Sequence, residues 1–245
     1  MNIKLTITYN GENFCGWQKQ PNKRSVQEEI EEAIFLACGE RVSLEGSGRT
    51  DSGVHALGQV ASFLINKEIN VKTLPRALNY HLKEDVRVLD AAEVPAEFNA
   101  RFSAKEKTYI YKFYASRFEL PLKQGKELRV NDYFDAAPAK EALKYLIGEK
   151  DFRSFCAKKS GKTNFVRKII SAQLHQISPY EYEFEITGNG FLYNMVRIIM
   201  GTLIMVGYKK WAPEEVERII CAKDRAKAGK TMPAYALYLR EVKYN

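Results

Sequence analysis

The segment Gly-Arg-Thr-Asp-Ser-Gly-Val-His-Ala, residues 48–56, has small residues at both ends and a dense polar centre. Gly48 and Gly53 permit backbone angles that residues with a Cβ avoid, which predicts a sharp, fixed loop. The side chains of residues i and i+2 in an extended or turn segment lie on the same side of the backbone. The Arg49 guanidinium and the Asp51 carboxylate are therefore expected at one site. A neighbouring cation keeps a carboxylate ionised, and only the ionised form serves as a nucleophile or base. The competing interpretation is a surface loop with a local ion pair, since most such pairs are structural.

The chain around this loop alternates strand and helix patterns. Residues 4–9 alternate apolar and polar side chains, which predicts a half-buried strand, and residues 107–114 are aromatic on both faces, as in a central strand. Ser25 and Glu28 form a capping box at the start of a helical pattern that ends at Gly39. Residues 139–147 predict a second helix. Residues 169–177 and 182–186 predict a hairpin around residues 178–179, and the second of these segments alternates apolar residues with glutamates. We therefore expect an α+β protein with two regions, 1–104 and 105–245, that share one mixed sheet, because no low-complexity linker separates them.

The amino-acid composition indicates what kind of partner the protein could bind. The chain has 245 residues, a formal net charge of +8 and a pI near 9.1. Such an excess of positive charge favours a polyanion, most often nucleic acid, although a basic protein without such a partner has the same composition. The four cysteines form no CxxC pair and the three histidines are dispersed. We therefore expect no metal site, and the cysteine pattern fits a protein of the reducing cytoplasm. No signal peptide or membrane span is expected either.

Arg197 lies inside residues 191–206, a run that is apolar on nearly every side and predicts a buried helix. A guanidinium does not lose its proton, and an unpaired buried charge is strongly destabilising. Arg197 is therefore expected to meet a carboxylate or to open onto a cleft. Asp51 is the partner we predict, and Glu185 is the alternative.

Several other residues are candidates for contact with RNA. Phe14 and Trp17 lie in a loop with interleaved lysines, although packing explains Trp17 equally well. Lys159 and Lys162 belong to a basic cluster that is either a phosphate-binding loop or a solvated face. Tyr109 lies in the aromatic strand pattern at residues 107–114, and strand aromatics are mostly packing residues.

The segment at residues 48–56 resembles the active-site signature of the TruA family of tRNA pseudouridine synthases. The resemblance covers essentially the whole chain, although Ser52 stands where alanine is frequent in the family. It includes the strings FCGWQ at residues 14–18, FNARFSA at 98–104, NMVR at 194–197 and LYL at 237–239. It implies the pseudouridine synthase fold, in which two related α/β halves form a mixed, mostly antiparallel sheet with packed helices and an active cleft between the halves.

The resemblance also implies a role for individual residues. Asp51 would be the catalytic residue, Arg49 would contact RNA around the flipped nucleotide, and Arg197 would pair with Asp51. Tyr109 would stack on the target base, with Tyr111 as the competing assignment. Further implied contacts are Leu237 with the substrate and Arg101 with RNA.

The implied activity is the isomerisation of uridine to pseudouridine at positions 38, 39 and 40 in the tRNA anticodon stem-loop. The implied enzyme is a homodimer that needs no cofactor and acts on tRNA rather than DNA. Three alternatives compete with this interpretation. They are an RNA-binding protein without catalysis, a carboxylate glycoside hydrolase, and a pseudouridine synthase of another family. A glycoside hydrolase usually needs a second catalytic carboxyl, and no comparable motif supplies one.

Overall fold

The computed structural model describes residues 1–157 and 163–244. Lys159 and Lys162 lie outside the described residues. The chain forms two compact units, of which the first comprises Met1–Lys105 together with the stretch from Tyr238 onward, and the second comprises Glu106–Leu237. Within the described part of the chain, no helix has the length and apolar character required to cross a membrane.

The first unit is a small sheet with two helices. Within residues 1–105 its helices and strands are β1 (Asn2–Tyr9), α1 (Val26–Cys38), β2 (Glu45–Gly46), β3 (His55–Leu64), α2 (Leu74–His81) and β4 (Val86–Val94). Strand β1 pairs antiparallel with both β3 and β4, and β2 pairs antiparallel with β3. Strand β3 starts at His55, directly after the turn that carries Asp51.

Local sequence signals account for these elements. Ile3, Leu5 and Ile7 are fully buried, as the alternation in β1 predicts. The Ser25 hydroxyl accepts a hydrogen bond from the Glu28 backbone N–H at 3.4 Å, and Gly39 ends α1 with a left-handed φ of 70°. The predicted start and end of this helix are therefore confirmed.

The second unit is built on a longer sheet. Its elements are β5 (Glu106–Ala115), β6 (Leu128–Val130), α3 (Ala136–Ala142), β7 (Gly148–Asp151), β8 (Val166–Gln176), β9 (Glu181–Gly188), α4 (Met195–Gly207) and α5 (Glu215–Ala222). The strand order is β5-β9-β8-β7 with antiparallel pairing throughout, and β6 adds in parallel to β5. The final strand, β10 (Leu237–Lys243), contributes its residues from Tyr238 onward to the first unit, where Tyr238 and Leu239 pair in parallel with the start of β3.

Both units therefore mix strands and helices, and parallel pairs are the minority in each. The predicted α+β class with a mixed, mostly antiparallel sheet is confirmed. The hairpin predicted around residues 178–179 is also confirmed, with Phe184 and Ile186 fully buried on the inner face of β9.

Some predicted boundaries are wrong. The helix expected over residues 139–147 is shorter, because α3 tightens into a 3-10 turn at Leu143–Leu146 and Gly148 already opens β7. The apolar helix expected from residue 191 begins only at Met195. Asn194 takes a left-handed φ of 61° just before it, and such a conformation does not continue a right-handed helix.

Candidate active site

The loop that carries Asp51 is a sharp turn leading into β3. The Val54 N–H donates to the Asp51 carbonyl at 3.1 Å, and Gly53 between them has a φ of 79°. Such a φ favours glycine, as the sequence predicts. Arg49 is exposed and Asp51 is half-buried, so both side chains have access to solvent. The backbone at Asp51 is therefore held in a closed turn.

A second segment, residues 11–17, lies against the loop and fixes its backbone. The Trp17 N–H donates to the Thr50 carbonyl at 3.1 Å. The Phe14 carbonyl accepts from the Gly53 N–H at 3.4 Å and from the Ser52 hydroxyl at 3.2 Å. These bonds fix the loop to the segment on both sides of Asp51.

The two segments approach closely enough to require glycine. A Cβ on Gly16 would lie 2.6 Å from the Thr50 carbonyl oxygen, and Gly16 also has a φ of 95°. A Cβ on Gly11 would lie 2.0 Å from the Val54 carbonyl oxygen. Neither contact is sterically possible for alanine without a shift of the backbone. These two glycines are part of the site, although the sequence pattern did not predict this close approach.

Phe14 and Trp17 belong to the core, which is a correction to their proposed contact with RNA. Each is only 2 % exposed, and both rings lie 6.3 Å from the Tyr9 ring. The edge of the Trp17 ring also fills the space beside Gly46. Their aromatic surface is consumed by packing under the loop, so it is not available for stacking on bases.

A buried network of polar side chains lies beneath the loop. It consists of Tyr9, Thr50, Gln59 and Ser47, each at most 6 % exposed. The Tyr9 and Thr50 hydroxyls are 2.8 Å apart, and the Gln59 amide nitrogen donates to the Gly48 carbonyl at 3.1 Å. Burial raises the pKa of Tyr9 to about 12, so its hydroxyl is neutral at physiological pH. We call these four residues the neutral network.

His55 anchors the point where the loop becomes β3. Its Nδ1 accepts a hydrogen bond from the Gly11 N–H at 3.0 Å, and its ring stacks on Tyr238 with centroids 4.6 Å apart. An accepting Nδ1 places the proton of a neutral imidazole on Nε2. His55 thus ties the loop to both residues 11–17 and the closing strand.

Tyr109 lies on β5 of the second unit. It is 9 % exposed, and its ring meets the Phe191 ring edge-on at 5.1 Å. Tyr111, the competing assignment, is fully buried and donates its hydroxyl hydrogen to the Pro233 carbonyl at 2.9 Å. Burial raises the pKa of Tyr111 well above its usual value. Its ring offers no surface to a ligand, which favours Tyr109 of the two.

Arg197 lies on α4 and is half-buried rather than enclosed. Its Nε donates to the Met232 carbonyl at 2.7 Å and its Nη1 to the Asn194 side-chain oxygen at 2.8 Å. The Met232 N–H returns a bond to the Arg197 carbonyl at 3.2 Å. The guanidinium is thus held by two uncharged oxygens in its own unit. Its predicted pairing with Asp51 stays a prediction.

The remaining candidates differ in exposure. Leu237 is buried at 5 % exposure where β10 begins. Arg101 is exposed on a turn in which the Asn99 side-chain oxygen accepts from the backbone N–H groups of Arg101 and Phe102. These hydrogen bonds hold the backbone of the turn, and the Arg101 side chain extends from it into solvent. Among the residues that the structure describes, no cluster of three or more His, Cys, Asp or Glu side chains could hold a metal ion.

Comparison with known proteins identifies the class. The profile of a family described as tRNA pseudouridine synthase matches residues 5–103 and 142–245, most of the chain. The chain therefore belongs to this family, and the predicted enzyme class, an isomerase that makes pseudouridine in tRNA, is confirmed. The interpretation as a non-catalytic RNA-binding protein is not favoured.

Individual relatives are similar over their whole length. A tRNA pseudouridine synthase A of Caldicellulosiruptor saccharolyticus is 46% identical over 99% of this chain and 99% of its own. The corresponding proteins of Acetivibrio thermocellus and Bacillus pumilus are 44% identical over 99% of both chains and 43% identical over 100% of both. A solved archaeal box H/ACA sRNP Nop10-Cbf5 complex aligns with 82% of this chain and 44% of its own at 11% identity. Its TM-score is 0.36, which is too low to support a shared fold.

Proposed function

We propose that this enzyme isomerises uridine at positions 38, 39 and 40 of the tRNA anticodon stem-loop, with Asp51 as the catalytic carboxylate. The observation that carries the proposal is the rigid turn that presents the half-buried Asp51 beside the exposed Arg49. The motif around it, residues 48–56, resembles the active-site signature of the TruA family, with Ser52 where alanine is frequent.

The reaction requires breaking the N1–C1′ bond, rotating the base and joining C5 to C1′. An ionised carboxylate can attack C1′, add at C6 of the base, or remove a proton to give a glycal. Each route needs the base out of the stack, because the reacting atoms are not reachable within a helix. Each also needs one carboxylate at a fixed position, which the turn at Asp51 supplies.

Other side chains have supporting roles in this proposal. Arg49 holds the RNA with the target base displaced, and Tyr109 stacks on that base. Arg197 keeps Asp51 ionised and oriented, because a nearby cation stabilises the charged form of a carboxylate. Leu237 packs against the substrate, and Arg101, Lys159 and Lys162 contact the RNA. Residues 1–104 would thereby carry the catalytic loop, and residues 105–245 would complete the site.

We further propose a homodimer that works in the cytoplasm. The net charge of +8 favours a long RNA contact, and a dimer would extend the basic surface available to one tRNA. Size measurement in solution, by light scattering at assay concentration, tests this part: about twice the 28.1 kDa chain mass is expected. A monomer that is fully active would contradict it.

The proposed chemistry is tested by tritium release from unmodified tRNA carrying 5-tritiated uridine. C5 loses its hydrogen only when it becomes the new glycosidic carbon. The wild-type enzyme should release tritium, whereas Asp51→Asn should release none while still binding tRNA. Equal release from both would show that another residue is catalytic. Substrates with single uridines at 38, 39 or 40 separate the target position from the chemistry.

A further inference from the structure

We infer that Tyr9 and Gln59 are positioning residues for this reaction: they hold the backbone on both sides of Arg49, and so fix where Asp51 is presented. The inference rests on the proposed role of Asp51 as the catalytic carboxylate. It follows from the hydrogen bonds of the neutral network, which all lie within the first unit.

The orientation of the Gln59 amide is determined by two backbone groups. Its Oε1 accepts from the Val60 N–H at 3.1 Å and from the Ser47 hydroxyl at 2.7 Å. Its Nε2 donates to the Gly48 carbonyl at 3.1 Å. A backbone N–H is only a donor and a backbone carbonyl only an acceptor, so exchanging the amide oxygen and nitrogen would break both bonds.

The orientation of Gln59 determines the direction of the next bond. Its Nε2 also points a hydrogen at the Tyr9 hydroxyl oxygen, at 3.5 Å. A phenol has one proton, and that proton cannot face the Gln59 amide nitrogen, which is itself a donor. Among the described residues, the remaining partner of the Tyr9 hydroxyl is Thr50 Oγ1, at 2.8 Å, so we assign Tyr9 as the donor in this bond. The network runs in one direction, from Val60 and Ser47 through Gln59 and Tyr9 to Thr50.

This chain of bonds fixes both neighbours of Arg49. Gly48 is held through its carbonyl by Gln59, and Thr50 is held through its side chain by Tyr9. Arg49 is itself exposed, so the position of its backbone comes from these two neighbours. Asp51 follows directly after the residue that Tyr9 holds. Because the network is buried, water does not replace a bond that is deleted.

Tyr9 acts through Thr50 and is not a catalytic residue. It is 4 % exposed, and its hydroxyl is engaged by Thr50 and Gln59. A buried phenol with a raised pKa is a poor general base at neutral pH. Removing its hydroxyl should therefore slow the chemical step by misplacing Asp51, with little effect on how tightly tRNA binds.

The first experiment compares Tyr9→Phe with Tyr114→Phe in the complete enzyme. Tyr114 is also a fully buried tyrosine with two hydrogen bonds through its hydroxyl, one donated to Glu119 at 3.0 Å and one accepted from the Leu120 N–H at 3.0 Å. Tyr9→Phe should slow single-turnover tritium release roughly 10- to 100-fold, the scale expected of a misplaced catalytic group. Tyr114→Phe should leave that rate unchanged. Both variants should keep wild-type affinity for tRNA and show comparable losses in thermal midpoint.

The second experiment asks whether Tyr9 works through Thr50. Thr50→Val removes the hydroxyl and keeps the shape, so it should slow release as much as Tyr9→Phe. The double variant should be no slower than either single variant, because both delete the same bond. Thr50→Ser restores a hydroxyl and should recover most of the rate. Gln59→Met provides a second way to open the network if Thr50→Val does not fold.

Two results would overturn the inference. One is a Tyr9→Phe rate equal to that of Tyr114→Phe, and the other is a double variant whose defect is the product of the two single defects. Asp51→Asn in the same assay separates this inference from the proposed function. An inactive Asp51→Asn with a normal Tyr9→Phe contradicts the positioning role alone. An Asp51→Asn variant with wild-type release contradicts the proposed function, and the positioning role with it.

Discussion

Two groups of side chains support the segments around Asp51, and they differ in charge and in exposure. The neutral network is uncharged and nearly inaccessible to water. The second group, which we call the charged cluster, consists of Arg24, Glu29, Asp85 and Phe14. Its three charged side chains are 16% to 25% exposed.

The charged cluster holds residues 11–17 rather than the loop itself. Arg24 donates from Nη2 to Glu29 at 2.9 Å and to Asp85 at 2.7 Å, and its guanidinium lies 4.2 Å from the centre of the Phe14 ring. The Arg24 carbonyl also accepts from the Cys15 N–H at 2.9 Å. Its contact with the loop is thus indirect, through Phe14.

Because the two groups differ in charge and exposure, they contribute to different properties of the enzyme. Hydrogen bonds between buried neutral groups are directional and insensitive to pH, so they fix geometry. Ion pairs at partial exposure contribute stability that depends on protonation and on both partners being present. We expect changes in the neutral network to affect rate, and changes in the charged cluster to affect stability.

The largest expected effect on stability comes from the contact between Gly11, in residues 11–17, and Val54, in the loop. Gly11→Ala places a Cβ 2.0 Å from the Val54 carbonyl oxygen, so the backbone must move. We expect a loss of about 3 kcal/mol or more in the free energy of unfolding, measured by urea denaturation. Gly125→Ala is the control, because no atom of the described residues beyond its two chain neighbours lies within 4 Å of its Cβ, and only its φ of 70° is unfavourable. A loss of about 1 kcal/mol is expected there, and equal losses would contradict the packing argument.

The next effect concerns Arg24. Arg24→Met leaves Glu29 and Asp85 without their shared cation, and we expect a loss of about 2 kcal/mol in the free energy of unfolding. Arg41→Met is a matched control, because Arg41 also pairs with a glutamate, at 3.3 Å, and lies 4.0 Å from a phenylalanine ring centre, but its side chain is 70% exposed. It should cost less than about 1 kcal/mol.

The same Arg24→Met variant should keep the single-turnover rate of tritium release, measured at a temperature where it is fully folded. A rate defect as large as that of Tyr9→Phe would break the division between the two groups. Urea titration and the release assay on one preparation separate the two quantities.

A smaller effect is the pH dependence of the charged cluster. Hydrogen bonds from Arg24 hold the pKa of Asp85 below its usual value. The folded-state pKa is thus lower than the unfolded one, so this contribution is present above about pH 4 and is lost as pH falls through the folded pKa. The stability gap between wild type and Asp85→Asn should narrow from pH 6 to pH 3. The gap for Tyr9→Phe should stay constant, and parallel changes would contradict the comparison.

The smallest effect is expected at Arg101, a cation that is exposed, whereas Arg24 is half-buried. Arg101→Ala should weaken tRNA binding roughly 2- to 5-fold and reduce the slope of log affinity against log salt by about 1. Arg117→Ala is the control, because Arg117 is also exposed and also adjoins an exposed phenylalanine. Filter binding at several salt concentrations measures both, and equal effects would remove Arg101 from the proposed contacts.

Much of the fold was predictable because its signals are local. The ends of α1 follow from Ser25 and Gly39, and the inner face of β9 follows from alternation. The failures have a physical cause as well. The start of α4 depends on the left-handed Asn194, and the burial of Phe14 and Trp17 depends on what packs over them. Composition around a loop does not reveal which of its aromatics are covered.

The family, the chemical class and the loop that holds Asp51 can be read from the chain alone, because residues 48–56 carry that information locally. The contacts that hold the loop depend on the tertiary structure. Tyr9 and Thr50 are 41 residues apart, and Tyr9 and Gln59 are 50 apart. Their hydrogen bonds exist because β1 and β3 pair in one register, and register is set by packing over the whole sheet rather than by either segment alone.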